Sequence, residues 1–196
     1  DLIHKIFPQA RFIHILRDPF DAGISLLEKY QKREAHIDIG FAAYNWVRRI
    51  QDAQAPGARL GRARYLELRY EALVRDPEKE IRNVCAFLGE EFVPAMRVHH
   101  DTAQQHVPQD SYFFANVRNP IDTGSLGRGR RALSVEDRRV IQRVAGPLML
   151  ALGYPLDDLG SMSPAEEARF QFLRAKYRLL QAGRRFATTL GLLPPI

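Results

Sequence analysis

The sequence contains one cysteine, Cys85, which excludes an internal disulfide framework and permits a reducing compartment. Cys85 falls in NVCAFLG at a helical position, where a small buried apolar role outweighs that of a nucleophile. No apolar run approaches the ~20 residues of a membrane span. The opening DLIHKIFPQA reads as an ordinary mixed segment, without the ordered regions of a secretory leader. These features set a cytoplasmic location as the expectation. Internal repeats and low-complexity tracts are also lacking. The chain has no basic tail and no zinc-finger or homeodomain spacing, and its bases are spread among acids, which argues against nucleic acid. What is present is a chain of 196 residues, long enough to bury a real core. Its net charge of +6 points to anionic partners in general, and arginine suits phosphate and sulfate oxygens because it can meet them bidentately.

RFIHIL reads as a short, buried parallel strand. Asp18 is then an N-cap and Pro19 the first helical position, predicting a helix from about Pro19 to Arg33. GFAAYNWVRRIQDAQ predicts a second helix over roughly 40–54, ended by the arginine-rich Pro-Gly loop APGARLGR. ARYLELRY is a second strand, followed by a turn, EALVRDP, and a helix, PEKEIRNVCAFLG, that stops at Gly89. Strand, helix, helix, strand, helix defines an α/β fold: a parallel sheet flanked by helices with a right-handed crossover. Residues 92–132 lack periodicity and carry Pro94, Pro108 and Pro120, which predicts a long loop, functional or disordered. LSVEDRRVIQRVAGPLMLALGY predicts a helix capped by Ser134. A last helix, about Pro164 to Leu190, puts Phe170, Leu173, Tyr177 and Leu180 on one stripe, with arginines elsewhere.

Ligands of open parallel sheets lie beyond the carboxyl ends of the strands. Arg17 ends the first strand and Tyr70 the second, so both stand on one rim if the strands share a sheet. Along the first helix Asp18, Ala22, Ser25 and Lys29 form a polar or small stripe, while Phe20, Ile24 and Leu27 form an apolar face for the core. Ser25 lies about 10 Å along the axis at 1.5 Å per residue. Arg17 and Ser25 can therefore hold one phosphate from two sides, with Ala22 leaving room between them. The competing reading is a solvated strand-end arginine and an outward serine.

At these residues a family resemblance enters. FPQARFIHILRDPFDAGISLLE resembles the 3′-phosphate-binding motif of sulfotransferases that use 3′-phosphoadenosine 5′-phosphosulfate, in which the arginine and the serine eight residues later bind the 3′-phosphate. LELRYEALVRDPEKEIRNVCAFLGEEF resembles the second segment of that family, whose tyrosine, here Tyr70, packs near adenine. ANVRNPIDTGSLGRGRRALS resembles a third, a loop folding over the nucleotide in the tyrosylprotein and bacterial branches. It implies Arg118, Asn119, Ser125 and Arg128 as further donor contacts, Arg128 foremost. The three segments stand in the family's order over residues 7–154.

The resemblance implies a sulfotransferase fold of the P-loop NTPase type, incomplete at the N-terminus, over residues 1–160, with an amphipathic helix and tail over 161–196. It implies sulfonate transfer to an acceptor hydroxyl or amine by in-line displacement. A base would remove the acceptor proton, cationic groups would meet the negative charge that builds up, and no metal would take part. The acceptor is not legible: protein tyrosine, carbohydrate and small molecules all fit. Two departures stand out. Gly129 occupies the place of a usual tryptophan, and the glycine- and hydroxyl-rich loop for the 5′-phosphosulfate has no counterpart before Arg17, nor has the catalytic base. The chain is therefore expected to be the C-terminal part of a larger enzyme. A non-catalytic binding or scaffold domain with the same fold is the alternative, and a phosphate-loop kinase would need magnesium-binding acids that are not evident.

Other constellations rank lower. His99, His100, Asp101 and His106 crowd into RVHHDTAQQH, read as a loop rather than a metal site. His4 is a weak candidate for catalysis. Tyr44 and Trp46 read as core packing. The last helix, with Arg169, Arg174, Arg178, Arg184 and Arg185, reads as closing the domain, with peripheral contact to a membrane or a partner as the alternative.

Overall fold

The computed structural model describes residues 2–30, 36–106 and 118–191. In chain order these form α1 (Leu2–Ile6), β1 (Phe12–Leu16), α2 (Pro19–Tyr30), α3 (Ile39–Leu60), β2 (Tyr65–Arg69), α4 (Tyr70–Arg75) and α5 (Pro77–Leu88). A 3₁₀ helix (Pro94–Val98) follows, then α6 (His99–His106), α7 (Arg128–Ala132), α8 (Val135–Ala151) and α9 (Pro164–Thr189). The chain divides into two compact bodies, one of Asp1–Arg17 with Asp52–Leu126 and one of Asp18–Gln51 with Gly127–Ile196.

The first body is built on β1 and β2, paired in parallel from Phe12↔Tyr65 to Leu16↔Arg69. Leu16 and Leu68 are its buried strand residues, and Phe12 N–H donates to the Arg64 carbonyl where the pairing opens. Both sequence-predicted strands are thus present and share one parallel sheet, but β1 is not the buried strand expected, because Ile13 and Ile15 are exposed. The predicted α5 is present as well: Pro77 fills its first position, the Asp76 carboxylate accepts Lys79 N–H at 3.3 Å, and Gly89 ends it at φ 75°. Cys85 is buried on α5, with its thiol 3.6 Å from the Met96 sulfur.

The second body packs α2, the first part of α3, α7, α8 and α9 around Phe20, Ile141 and Met149, all fully buried. Trp46 meets Tyr154 edge-on, and Tyr44 stacks on Tyr177 with ring centroids 4.6 Å apart, both in keeping with packing roles. Ser134 caps α8 as expected, and Ser163 opens α9 in a reciprocal capping box with Glu166.

Four other expectations are corrected. The loop predicted from residue 55 is helix, because α3 runs to Leu60 with Pro56 inside it. Tertiary contact overrides the local Pro-Gly signal here. The Tyr65 ring lies so close on Gly57 that a Cβ there would come within 2.5 Å of it, and the helix stops only at Gly61, φ 71°. The turn after β2 is helix α4. The long loop of 92–132 contains the 3₁₀ helix, α6 and α7; residues 107–117 lie outside the described residues. Finally, α2 buries Pro19, Phe20, Asp21 and Gly23, whereas Ile24 and Leu27 are half-buried. Its core face lies at the first turn and includes an acid.

Candidate functional site

The strand register makes the rim. Leu16 pairs with Arg69, so the next residues, Arg17 and Tyr70, leave the sheet side by side at its carboxyl end. The Arg17 guanidinium lies over the Tyr70 ring, 4.4 Å from its centroid, a cation–π contact that fixes the fork's orientation. Arg17 Nη2 donates to the Ser125 carbonyl oxygen at 3.4 Å, and the Ser125 and Tyr70 hydroxyls are hydrogen-bonded at 3.0 Å. The loop presenting Ser125 is itself set by a turn: Asp122 Oδ1 accepts Gly124 N–H at 2.6 Å, and Leu126 N–H donates to the Thr123 carbonyl. One guanidinium and two hydroxyls thus converge in the first body, all on half-buried side chains.

Of the seven sequence-predicted site residues, the structure brings Arg17, Tyr70 and Ser125 together. Arg118 is half-buried and Asn119 exposed in the same body. Ser25 and Arg128 belong to the second body. Ser25 is half-buried on α2, and Arg128, the first residue of α7, forms an ion pair with Glu28 at 2.7 Å.

Sequence reasoning missed the acids that fasten α7 to α2. Asp21 is 1% exposed, and its carboxylate accepts Gly127 N–H at 2.8 Å and Gly129 N–H at 2.6 Å. Asp18 caps α2 by accepting Phe20 N–H at 2.8 Å and also pairs with Arg130 at 2.6 Å. Arg130 continues to Asp157, which binds Arg138 in turn. Burial alone would lower the Arg130 pKa, but the Asp157 and Asp18 carboxylates outweigh it and hold the guanidinium charged more firmly than usual. Only Asp18's capping role was legible, because the other partners are more than a hundred residues distant along the chain. Gly129 gains a reason here. A Cβ on it would lie 2.1 Å from the Phe20 carbonyl carbon, so the close helix contact excludes a larger side chain.

On the sheet, the Tyr65 hydroxyl donates to Glu67 at 3.1 Å and is hydrogen-bonded with His14 Nδ1 at 2.7 Å. Burial and Glu67 push the phenol well above its ordinary pKa, keeping it protonated. RVHHDTAQQH is helix α6 with the end of the 3₁₀ helix, and the His99 and His100 rings meet edge-on at 5.8 Å. Among the described residues no three His, Cys, Asp or Glu converge on a metal position. The side chains of His4 and Asp101 lie outside those described.

The comparisons with known proteins agree with this architecture. Residues 1–94 match the model of a family described as "Sulfotransferase family". A Caenorhabditis briggsae protein named "Putative protein-tyrosine sulfotransferase" is 26% identical over 192 residues, covering 87% of this chain and 62% of the relative. A Caenorhabditis elegans protein of the same name is 28% identical over 169 residues, covering 78% of this chain and 60% of the relative. The structure is similar to the sulfotransferase domain of the Synechococcus PCC 7002 olefin synthase, with a TM-score of 0.60 and 24% identity, over 76% of this chain and 51% of that one. That likeness carries the fold, an α/β sulfotransferase fold with a small parallel sheet among many helices. The family model and the two named nematode relatives are likewise of sulfotransferases. The chain spans 62% and 60% of the length of the two nematode relatives.

Proposed function

We propose that this chain is the donor-binding part of a sulfotransferase that moves a sulfonate group from 3′-phosphoadenosine 5′-phosphosulfate to an acceptor hydroxyl or amine. The observation that carries the proposal is the convergence of Arg17, Tyr70 and Ser125 at the carboxyl rim of the parallel pair. The donor set fits the nucleotide. A guanidinium offers a phosphate two parallel charge-assisted bonds, two hydroxyls can add more, and an aromatic face suits adenine. When bound, the nucleotide supplies a sulfonate already attached to a good leaving group. Arg17 would hold the 3′-phosphate, Tyr70 would flank the base, and Ser125 would tie its loop to both. By resemblance Ser25, Arg118, Asn119 and Arg128 are proposed as further contacts to the same donor. Arg128 would exchange Glu28 for an anionic oxygen. These residues bind and orient; the proton of the acceptor is not theirs to remove. The names of the nematode relatives make a protein tyrosine the first acceptor to assay.

Calorimetry with 3′-phosphoadenosine 5′-phosphate tests the reading. The parent chain should bind it, and Arg17→Ala should bind at least tenfold more weakly, because a hydrogen bond to a charged group contributes about 1.5–3 kcal/mol. Arg17→Lys should recover only part of that, since an ammonium keeps the charge and loses the fork. Unchanged affinity in Arg17→Ala removes the assignment. No binding by the folded parent chain favours a scaffold instead.

A further inference from the structure

The net charge of this protein gathers toward one end of its sequence. The bases are less evenly spread among acids than the sequence as a whole suggests: residues 168–196 contain six, Arg169, Arg174, Lys176, Arg178, Arg184 and Arg185, and no acid, which equals the whole net charge of +6. Within α9, Arg169 pairs with Asp137 and Lys176 with Asp38. Arg178, Arg184 and Arg185 are exposed, and no ion pair holds them among the described residues. The helix is anchored by Phe170, Leu173 and Tyr177, and past Tyr177 none of its residues is buried. Roughly its last three turns therefore lie on the surface.

That outer part is not polar. Phe172, Leu179 and Phe186 recur every seven residues and are 68%, 74% and 66% exposed, with Leu190 at 56% on the same side. A helix that had only to close the domain would carry polar residues there. Beside the stripe, Phe41, Phe172, Leu179, Leu180 and Arg184 line an open groove of about 750 Å³. Exposed aromatic and aliphatic side chains next to unpaired arginines narrow the choice of occupant. A second copy pairing along the seven-residue stripe would bring these arginines against their own equivalents. A polyanion such as nucleic acid would leave the Phe and Leu side chains without a role. A bilayer surface meets both demands, taking the apolar side chains at the headgroup–acyl boundary and the guanidinium groups at lipid phosphates. Long basic side chains bridge the two levels readily. Spanning is not in question, because no helix among the described residues is long and apolar enough to cross a membrane.

We propose that the outer face of α9, through Phe172, Leu179, Phe186 and Leu190 with Arg178, Arg184 and Arg185, docks the protein peripherally on an anionic phospholipid surface. The proposal stands independently of the donor site. Co-sedimentation of the full chain with vesicles tests it, using phosphatidylcholine alone and phosphatidylcholine mixed with phosphatidylglycerol. Binding is expected to the mixed vesicles only, and to fall as salt rises. The triple variant Arg178→Gln/Arg184→Gln/Arg185→Gln should partition about a hundredfold more weakly onto mixed vesicles. Leu179→Gln/Phe186→Gln should lose the binding that survives high salt. All five positions are exposed, so both variants should melt with the parent chain. Binding to neither vesicle, or equally to both, overturns the proposal. So does concentration-dependent self-association that Phe186→Gln abolishes, which would assign the face to a second copy.

Discussion

Replacing Gly129 by alanine should do damage out of proportion to one methyl group. The added carbon would stand 2.1 Å from the Phe20 carbonyl carbon, 2.2 Å from its oxygen and 2.6 Å from Asp21 N. All three are backbone atoms, so no rotamer change relieves the overlap. α7 must back away from α2, and retreat stretches the bonds from Gly127 N–H and Gly129 N–H to the Asp21 carboxylate, now 2.8 and 2.6 Å. Overpacking a tight contact costs about 1–3 kcal/mol. Leaving a buried hydrogen-bonding group unsatisfied costs about 1–3 kcal/mol more. The sum centres near ~4 kcal/mol, and for a chain of this size ~1 kcal/mol moves the melting point by about 2–4 °C. Gly129→Ala should therefore melt some 8–16 °C below the parent, followed by circular dichroism or by urea unfolding. Gly183→Ala is the internal control: it lies in α9 with nothing within 4 Å of its would-be Cβ, and should be neutral or stabilising by up to about 1 kcal/mol. Should Gly129→Ala melt with the parent, the close α2–α7 contact and the role given to Asp21 are both wrong.

Two further outcomes follow from the hydrogen bonds. The Ser163 backbone N–H and hydroxyl, with Arg139, hold the Glu166 carboxyl at about 2, down from its ordinary 4.5. A carboxyl depressed on folding adds stability that is complete above its unfolded value and disappears as pH falls through its folded one. The gap in melting temperature between the parent and Glu166→Gln should therefore close between pH 4.5 and about 2, and a gap that stays constant would refute the capping box as its origin. Tyr70→Phe and Ser125→Ala each remove one end of a 3.0 Å bond. In a double-mutant cycle followed by urea unfolding, they should couple by about 1 kcal/mol, and strict additivity would mean the two hydroxyls do not meet.

Much of the first body was legible because its signals are local. Alternating and β-branched residues mark β1 and β2, Asp76-Pro77 opens α5 and Gly89 closes it. The rim was legible from topology: once two parallel strands share a sheet, the residues after them fall side by side, which sets Arg17 beside Tyr70. Ser125 came from family resemblance, not from physics, since 55 residues separate it from Tyr70. The failures share one cause. Pro56 and Gly57 read as a loop because the ring packed on Gly57 belongs to Tyr65, in the next strand, and α7 was hidden because its fastening, Asp21, lies over a hundred residues away. Gly129 looked like a missing tryptophan, because absence of a side chain reads as loss until a backbone is found pressed against it.

The run Arg17-Asp18-Pro19-Phe20-Asp21 poses an electrostatic question, since two carboxylates directly follow the arginine proposed to receive a phosphate. Unpaired, they would repel an anion and draw the guanidinium to themselves. Neither is unpaired. Asp18 is occupied by Phe20 N–H and by Arg130, and Asp21 by the backbone N–H groups of Gly127 and Gly129. Both acids are buried, where an uncompensated charge would be costly, so their partners are requirements of the fold rather than decoration. A division of labour follows: the acids join α2 to α7, and the Arg17 guanidinium lies over Tyr70. Substituting either acid should thus be read first in stability, and only Arg17 first in nucleotide affinity. An Asp21→Asn protein that melted like its parent but lost nucleotide would place the carboxylate in the binding machinery and break that division.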